Sequence, residues 1–68
     1  MNPELYTEKI DEDLARMDKN RHWLALEIHR ESGHSVQLVY YWLSKRSVKG
    51  VHWIAKILKY SNPKDLIK

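Results

Sequence analysis

The stretch that decides the fold is Glu27-Ile28-His29-Arg30-Glu31-Ser32-Gly33-His34-Ser35-Val36-Gln37-Leu38-Val39-Tyr40-Tyr41-Trp42-Leu43-Ser44. A helix running up to Glu31 must stop at Ser32-Gly33-His34, because Gly33 takes the positive φ that ends a helix. Ser35 then offers its hydroxyl oxygen to the free N–H groups of a new helix. That helix is predicted to run through Leu43 or Ser44. Val39, Trp42 and Leu43 fall on its inner side, leaving Val36, Gln37, Tyr40 and Tyr41 outward. A helix, a tight glycine turn and a capped second helix crossing the first make a helix-turn-helix. The second helix of such a unit can present its N-terminal end to base edges in the DNA major groove.

Upstream, Asp18 or Asn20 can cap a helix beginning at Arg21, with Trp23, Leu24, Ala25 and Ile28 as its apolar face. An acidic first helix is predicted within residues 1–18. Asn2 is its expected N-cap and Pro3 its first residue, where the missing N–H costs nothing. Leu5, Ile10, Leu14 and Met17 lie near one stripe of it, with acids opposite. Downstream, residues 45–50 read as a basic turn and residues 51–60 as a further helix with Val51, Ile54, Ala55 and Leu58 inward. Asn62-Pro63 looks like another cap and first residue, and Leu66 is placed to close the core. No strand-like alternation exceeds a few residues. The expectation is an all-α, compact, four- to five-helix domain spanning residues 1–68.

At 68 residues the chain has room for one small core. It contains no Cys, which excludes disulfides and Cys-based zinc sites. Three Trp and four Tyr supply large buried areas instead. No apolar run approaches the ~20 residues that span a bilayer, and the start Met1-Asn2-Pro3-Glu4 lacks the apolar core of a signal peptide. The chain therefore reads as soluble and cytoplasmic, without a membrane partner. Net charge is +3, unevenly spread. Residues 1–18 hold six acids and two bases, whereas residues 19–68 hold ten bases and three acids. An acidic arm thus stands beside a basic surface suited to a polyanion.

The segment around Gly33 resembles the helix-turn-helix of the lambda-repressor/Cro-like family of small phage-type regulators. Gly33 sits at the turn, Ser35 opens the next helix, and Val39 and Trp42 occupy its buried positions. Trp42-Leu43-Ser44-Lys45-Arg46, then Ile54-Ala55-Lys56-Ile57-Leu58 and Asn62-Pro63-Lys64-Asp65-Leu66 continue the likeness, which covers residues 20–67. His29, Ser32 and Lys45 depart from the family pattern. They stand where it usually has a small Ala, a buried Leu and a helix-ending Gly. A second register, with residues 51–60 as the reading helix, is therefore also open. Against it, Ile54, Ala55 and Leu58 look like core. The resemblance implies a sequence-specific transcriptional regulator binding double-stranded DNA in the bacterial nucleoid. A homodimer on two half-sites, formed in solution or only on DNA, is the expected assembly.

On that reading Gln37 can address adenine N6 and N7, while Tyr40 and Tyr41 touch thymine methyls or phosphates. Ser35 and Val36 begin the reading helix. Lys45, Arg46, Lys49 and Arg21 clamp phosphates. Each residue also has a plainer use: Gln37 as an exposed amide, the tyrosines as dimer contacts or partial core, the cations as a solvated face. His22, His29, His34 and His52 lack the i, i+4 spacing of a helical zinc site, so neither a metal nor another cofactor is expected. His29 and His34 are expected to be semi-buried packing groups. Ser35 beside His34 is no triad, and Asp11, Glu12 and Asp13 read as a solvated acidic face, so no enzyme activity is expected. The alternative function is a protein-interaction module, an antitoxin or phage adaptor, docking through the acidic segment 1–18.

Overall fold

The computed structural model describes residues 2–68, and Met1 lies outside the described residues. Four α-helices follow one another: α1 (Thr7–Arg16), α2 (Arg21–Ser32), α3 (Val36–Lys45) and α4 (Val51–Leu58). Short 3₁₀ turns cover Val48–Gly50 and Pro63–Leu66. The domain is all-α, and its only extended pairing among the described residues is a single antiparallel bridge between Leu5 and Ile67.

Local chemistry sets the helix ends. The Asn20 side chain accepts from the N–H of Trp23 at 3.0 Å, which starts α2, and Asp18 is not the cap. Gly33 ends α2 with φ +81°, and the Ser35 hydroxyl accepts from the N–H of Leu38 at 3.1 Å to start α3. Arg46, in the left-handed region at φ 53°, ends α3. The task a Gly usually performs there thus falls one residue beyond Lys45. Lys59, at φ 62°, likewise stops α4 after Leu58, two residues before the predicted end at Tyr60. The Asn62 side chain accepts from the N–H of Lys64 at 3.0 Å to open the last turn.

The N-terminus departs from expectation. Asn2 and Pro3 are exposed and cap nothing, and the first helix begins only at Thr7. Residues 4–6 spend their backbone groups elsewhere. The Tyr6 N–H donates to the Leu66 carbonyl at 2.7 Å, the Lys68 N–H to the Glu4 carbonyl at 2.7 Å, and the Leu5 N–H to the Arg46 carbonyl at 2.9 Å. A helix over these residues would forfeit those bonds and withdraw Leu5, which is fully buried, from the core. Met17 lies past the helix end and is exposed, not part of the apolar stripe.

One core joins the elements. Leu5, Ile10 and Leu14 meet Leu24, Ala25 and Ile28 of α2, Val39, Trp42 and Leu43 of α3, Val51, Ile54 and Ala55 of α4, and Leu66. Burial of Ile54 and Ala55 gives α4 a structural face, as its sequence suggests. Trp42 lies against Gly50, where a Cβ would come within 2.9 Å of ring carbon Cζ3 and closer still to its neighbours. The glycine is there for close approach, its φ of −94° being ordinary.

Candidate nucleic-acid interface

The turn between α2 and α3 is built by residues the family pattern does not contain. The Ser32 hydroxyl donates to the Ile28 carbonyl at 2.7 Å and accepts from the His34 N–H at 3.1 Å. A Leu there would leave that N–H without this acceptor. His29 is exposed, not semi-buried, so its ring adds no bulk between the helices. Its Nδ1 lies 2.9 Å from the His34 carbonyl oxygen. His34 is half-buried, its ring edge-on to Trp42 at 5.3 Å and to Trp53 at 6.0 Å. The turn is thus fixed by side-chain bonds and aromatic contacts on both sides of Gly33.

With Val39, Trp42 and Leu43 turned inward, the helical period directs Gln37, Tyr41 and Ser44 along one outward stripe, at i, i+4 and i+7, with Lys45 beside it. All four are exposed, Tyr41 at 57%. Tyr40 and Leu38, at 37% and 36%, flank this stripe. Helix α3 carries no acid. Val36 is half-buried against the core, so its expected outward position is corrected. It stands three and seven residues before Val39 and Leu43, on the margin of the same buried face. The Ser35 hydroxyl is engaged as the helix cap. Tyr40 is tethered: its hydroxyl lies 2.9 Å from His22 Nδ1, with the two rings stacked at 6.5 Å.

The cations divide into two kinds. Lys45 and Lys49 are exposed and stand in no ion pair among the described residues. Arg21 and Arg46 are half-buried and engaged by α1. Arg21 makes a bidentate pair with Asp11, both bonds at 2.8 Å, which pushes its pKa further up. Arg46 Nη1 donates to Glu8 Oε1 at 3.0 Å. The Glu8 carboxyl is held below its ordinary range, first by a backbone N–H and then by Arg46. Asp13, buried on α1, is satisfied by Arg16 and by the Tyr60 hydroxyl.

Sequence reasoning anticipated the exposure of Gln37, Tyr41, Lys45 and Lys49 and did not weigh Ser44, Leu38 or the His22–Tyr40 contact. Extending the i, i+4, i+7 count from Gln37 by one turn would have found Ser44. The His22–Tyr40 contact joins two helices and leaves no local signal. Among the described residues no group of three His, Asp or Glu side chains gathers as a metal site would require. No helix among them is long and apolar enough to cross a membrane. No protein-family model matches the chain, and neither a curated protein nor a solved structure matches it significantly.

Proposed function

We propose that the chain is a sequence-specific DNA-binding regulator of the lambda-repressor/Cro-like kind, reading the major groove with α3. The observation that carries this reading is the outward stripe of that helix. An amide, a phenol, a hydroxyl and an ammonium (Gln37, Tyr41, Ser44 and Lys45) stand exposed together, without a carboxylate on the helix. Amide and hydroxyl groups suit base edges, and ammonium groups suit phosphates. The Ser35 cap and the bonded turn hold the helix end rigidly, as a reading surface needs. Lys45 and Lys49 supply phosphate contacts, and pairing of two copies on adjacent half-sites supplies the affinity that one short helix lacks.

A heteronuclear NMR titration with duplex DNA selected from a random pool tests the proposal. Backbone shifts concentrated in residues 33–49 are expected, with affinity falling steeply as salt rises. Absence of any selected duplex overturns it.

One observation favours the second reading, a protein-interaction module. Leu26, Leu38, Tyr40 and Tyr41 are large and exposed on α2 and α3, and exposed apolar side chains can meet a protein partner. That partner would meet α2 and α3, because Asp11 and Glu8 of the acidic segment are already paired internally. The same titration, with no shift on DNA, would turn the search to protein partners.

A further inference from the structure

Helix α1 is acidic, yet its acids are not simply a solvated face. Of Glu8, Asp11, Glu12 and Asp13, two reach out of the helix to cations of the helix-turn-helix. Asp11 takes Arg21, the first residue of α2, through two bonds of 2.8 Å. Glu8 takes Arg46, the residue that ends α3, at 3.0 Å, and Lys68 at 3.8 Å. The extended segment before α1 adds a backbone bond to the same residue, the Leu5 N–H donating to the Arg46 carbonyl. One carboxylate therefore sits at each end of the α2–turn–α3 unit, on the guanidinium geometry that a phosphate would otherwise use.

From this geometry we infer that α1 is an internal competitor for DNA phosphate: Asp11 and Glu8 occupy Arg21 and Arg46, and duplex binding must displace them. The inference rests on the nucleic-acid reading above and deepens it. The pairs are partly exposed, and exposed ion pairs are weak enough to exchange partners. A duplex presents many phosphates at high local density and wins the arginines. A short or isolated phosphate does not. The acidic helix thereby trims binding to arbitrary DNA, leaving base contacts from α3 to decide where the protein stays. Glu4 and Glu12 carry the same charge nearby but stand in no ion pair among the described residues. They separate competition for the arginines from a general effect of net charge.

The test compares the Glu8→Gln/Asp11→Asn variant with Glu4→Gln/Glu12→Gln, which makes the same change in charge. Each is also made with Arg21→Gln/Arg46→Gln. Binding to a short random-sequence duplex is titrated across salt, and elution from immobilised heparin is measured in parallel. Glu8→Gln/Asp11→Asn should bind random duplex about three- to tenfold tighter, with a salt slope nearly unchanged, because the same two arginines meet phosphate in both complexes. Glu4→Gln/Glu12→Gln should change affinity by less than about twofold, and the gain should vanish once the arginines are replaced. Equal gains in both acid variants, or a gain that survives loss of the arginines, overturn the inference. If no variant binds duplex while heparin elution shows the pair-specific shift, the regulator reading falls, competition for DNA phosphate falls with it, and the pairs compete only for another polyanion. If duplex binds all variants alike, the reading stands and the competition falls. In the unmutated chain, the Arg21 Nε–Hε resonance should move as duplex is added, and an unmoved resonance in a saturated complex also overturns the inference.

Discussion

Gly50 lies flat against the indole of Trp42, with no room between them for a methyl group. The ring closes the core side of α3, and the chain returns past it into α4 at a residue that lacks a Cβ. Gly50→Ala would force the carbon into Cε3, Cδ2 and Cζ3 of the ring. The φ of −94° means the substitution gains no relief from backbone strain. A loss of about 1–3 kcal/mol is expected from overpacking, lowering the melting temperature by several degrees in a domain this small. Urea unfolding followed by tryptophan fluorescence measures it, and an unchanged midpoint would show that the ring has somewhere to move.

Gln37 is exposed on the outward stripe and distant from the core, so Gln37→Ala should change stability by less than about 0.5 kcal/mol. If the amide addresses a base, discrimination at one position per half-site should drop by about 1–3 kcal/mol while nonspecific affinity holds. Titration against a selected duplex and its single-base variants reads both quantities.

Lys45 and Lys49 should contribute to all duplexes alike. Each Ala substitution is expected to reduce the salt slope by about 0.9 units, the share of one phosphate contact. Arg46→Ala should reduce it as much, since the duplex displaces Glu8, but should cost less affinity, because breaking the Glu8 pair offsets part of that phosphate contact. Slopes and affinities of the three variants measured side by side check the ranking, and a larger loss of affinity for Arg46 than for Lys45 would contradict it.

The Glu8 carboxyl is pulled below its ordinary value of 4.5 by a backbone N–H and by Arg46. A lowered carboxyl pKa means the native state favours the charged form, so its contribution is present above 4.5 and disappears as pH falls through the lowered value. The stability gap between the wild type and Glu8→Gln should therefore close on acidification. Denaturant unfolding of both proteins across the acid limb is the measurement, and a gap that widens there would reverse the assignment.

Much of this was legible in the sequence, for physical reasons tied to particular residues. Asn20, Gly33, Ser35 and Asn62 announce helix ends because capping is local chemistry, and each acts where its type suggests. Val39, Trp42, Leu43 and Ile54 announce the core because burial follows the helical period. The N-terminus misled for the complementary reason. Asn2-Pro3-Glu4 is a good local helix start, but the partners that hold residues 4–6 extended lie at residues 46 and 66–68, and local propensity cannot weigh bonds made across the chain. The ends of α3 and α4 were similarly hidden, since Arg46 and Lys59 take a left-handed conformation that their side chains do not advertise. Arg21 and Arg46 read as free cations because an ion pair to a distant helix leaves no trace in a local charge pattern.

The pairing of Leu5 with Ile67, and the burial of Leu5 beside Leu66, also bear on how the protein is made. Leu5 is synthesised well before the two residues it meets, Leu66 and Ile67, and must wait for them. Until residue 66 clears the exit tunnel, Leu5 lacks the part of its cover that Leu66 supplies. Helices α2 to α4 can dock earlier, being neighbours in sequence as well as in space. Closure of the core by Leu5 and Leu66 thus comes after α2 to α4 have docked, and the segment that carries Leu5 is seated last.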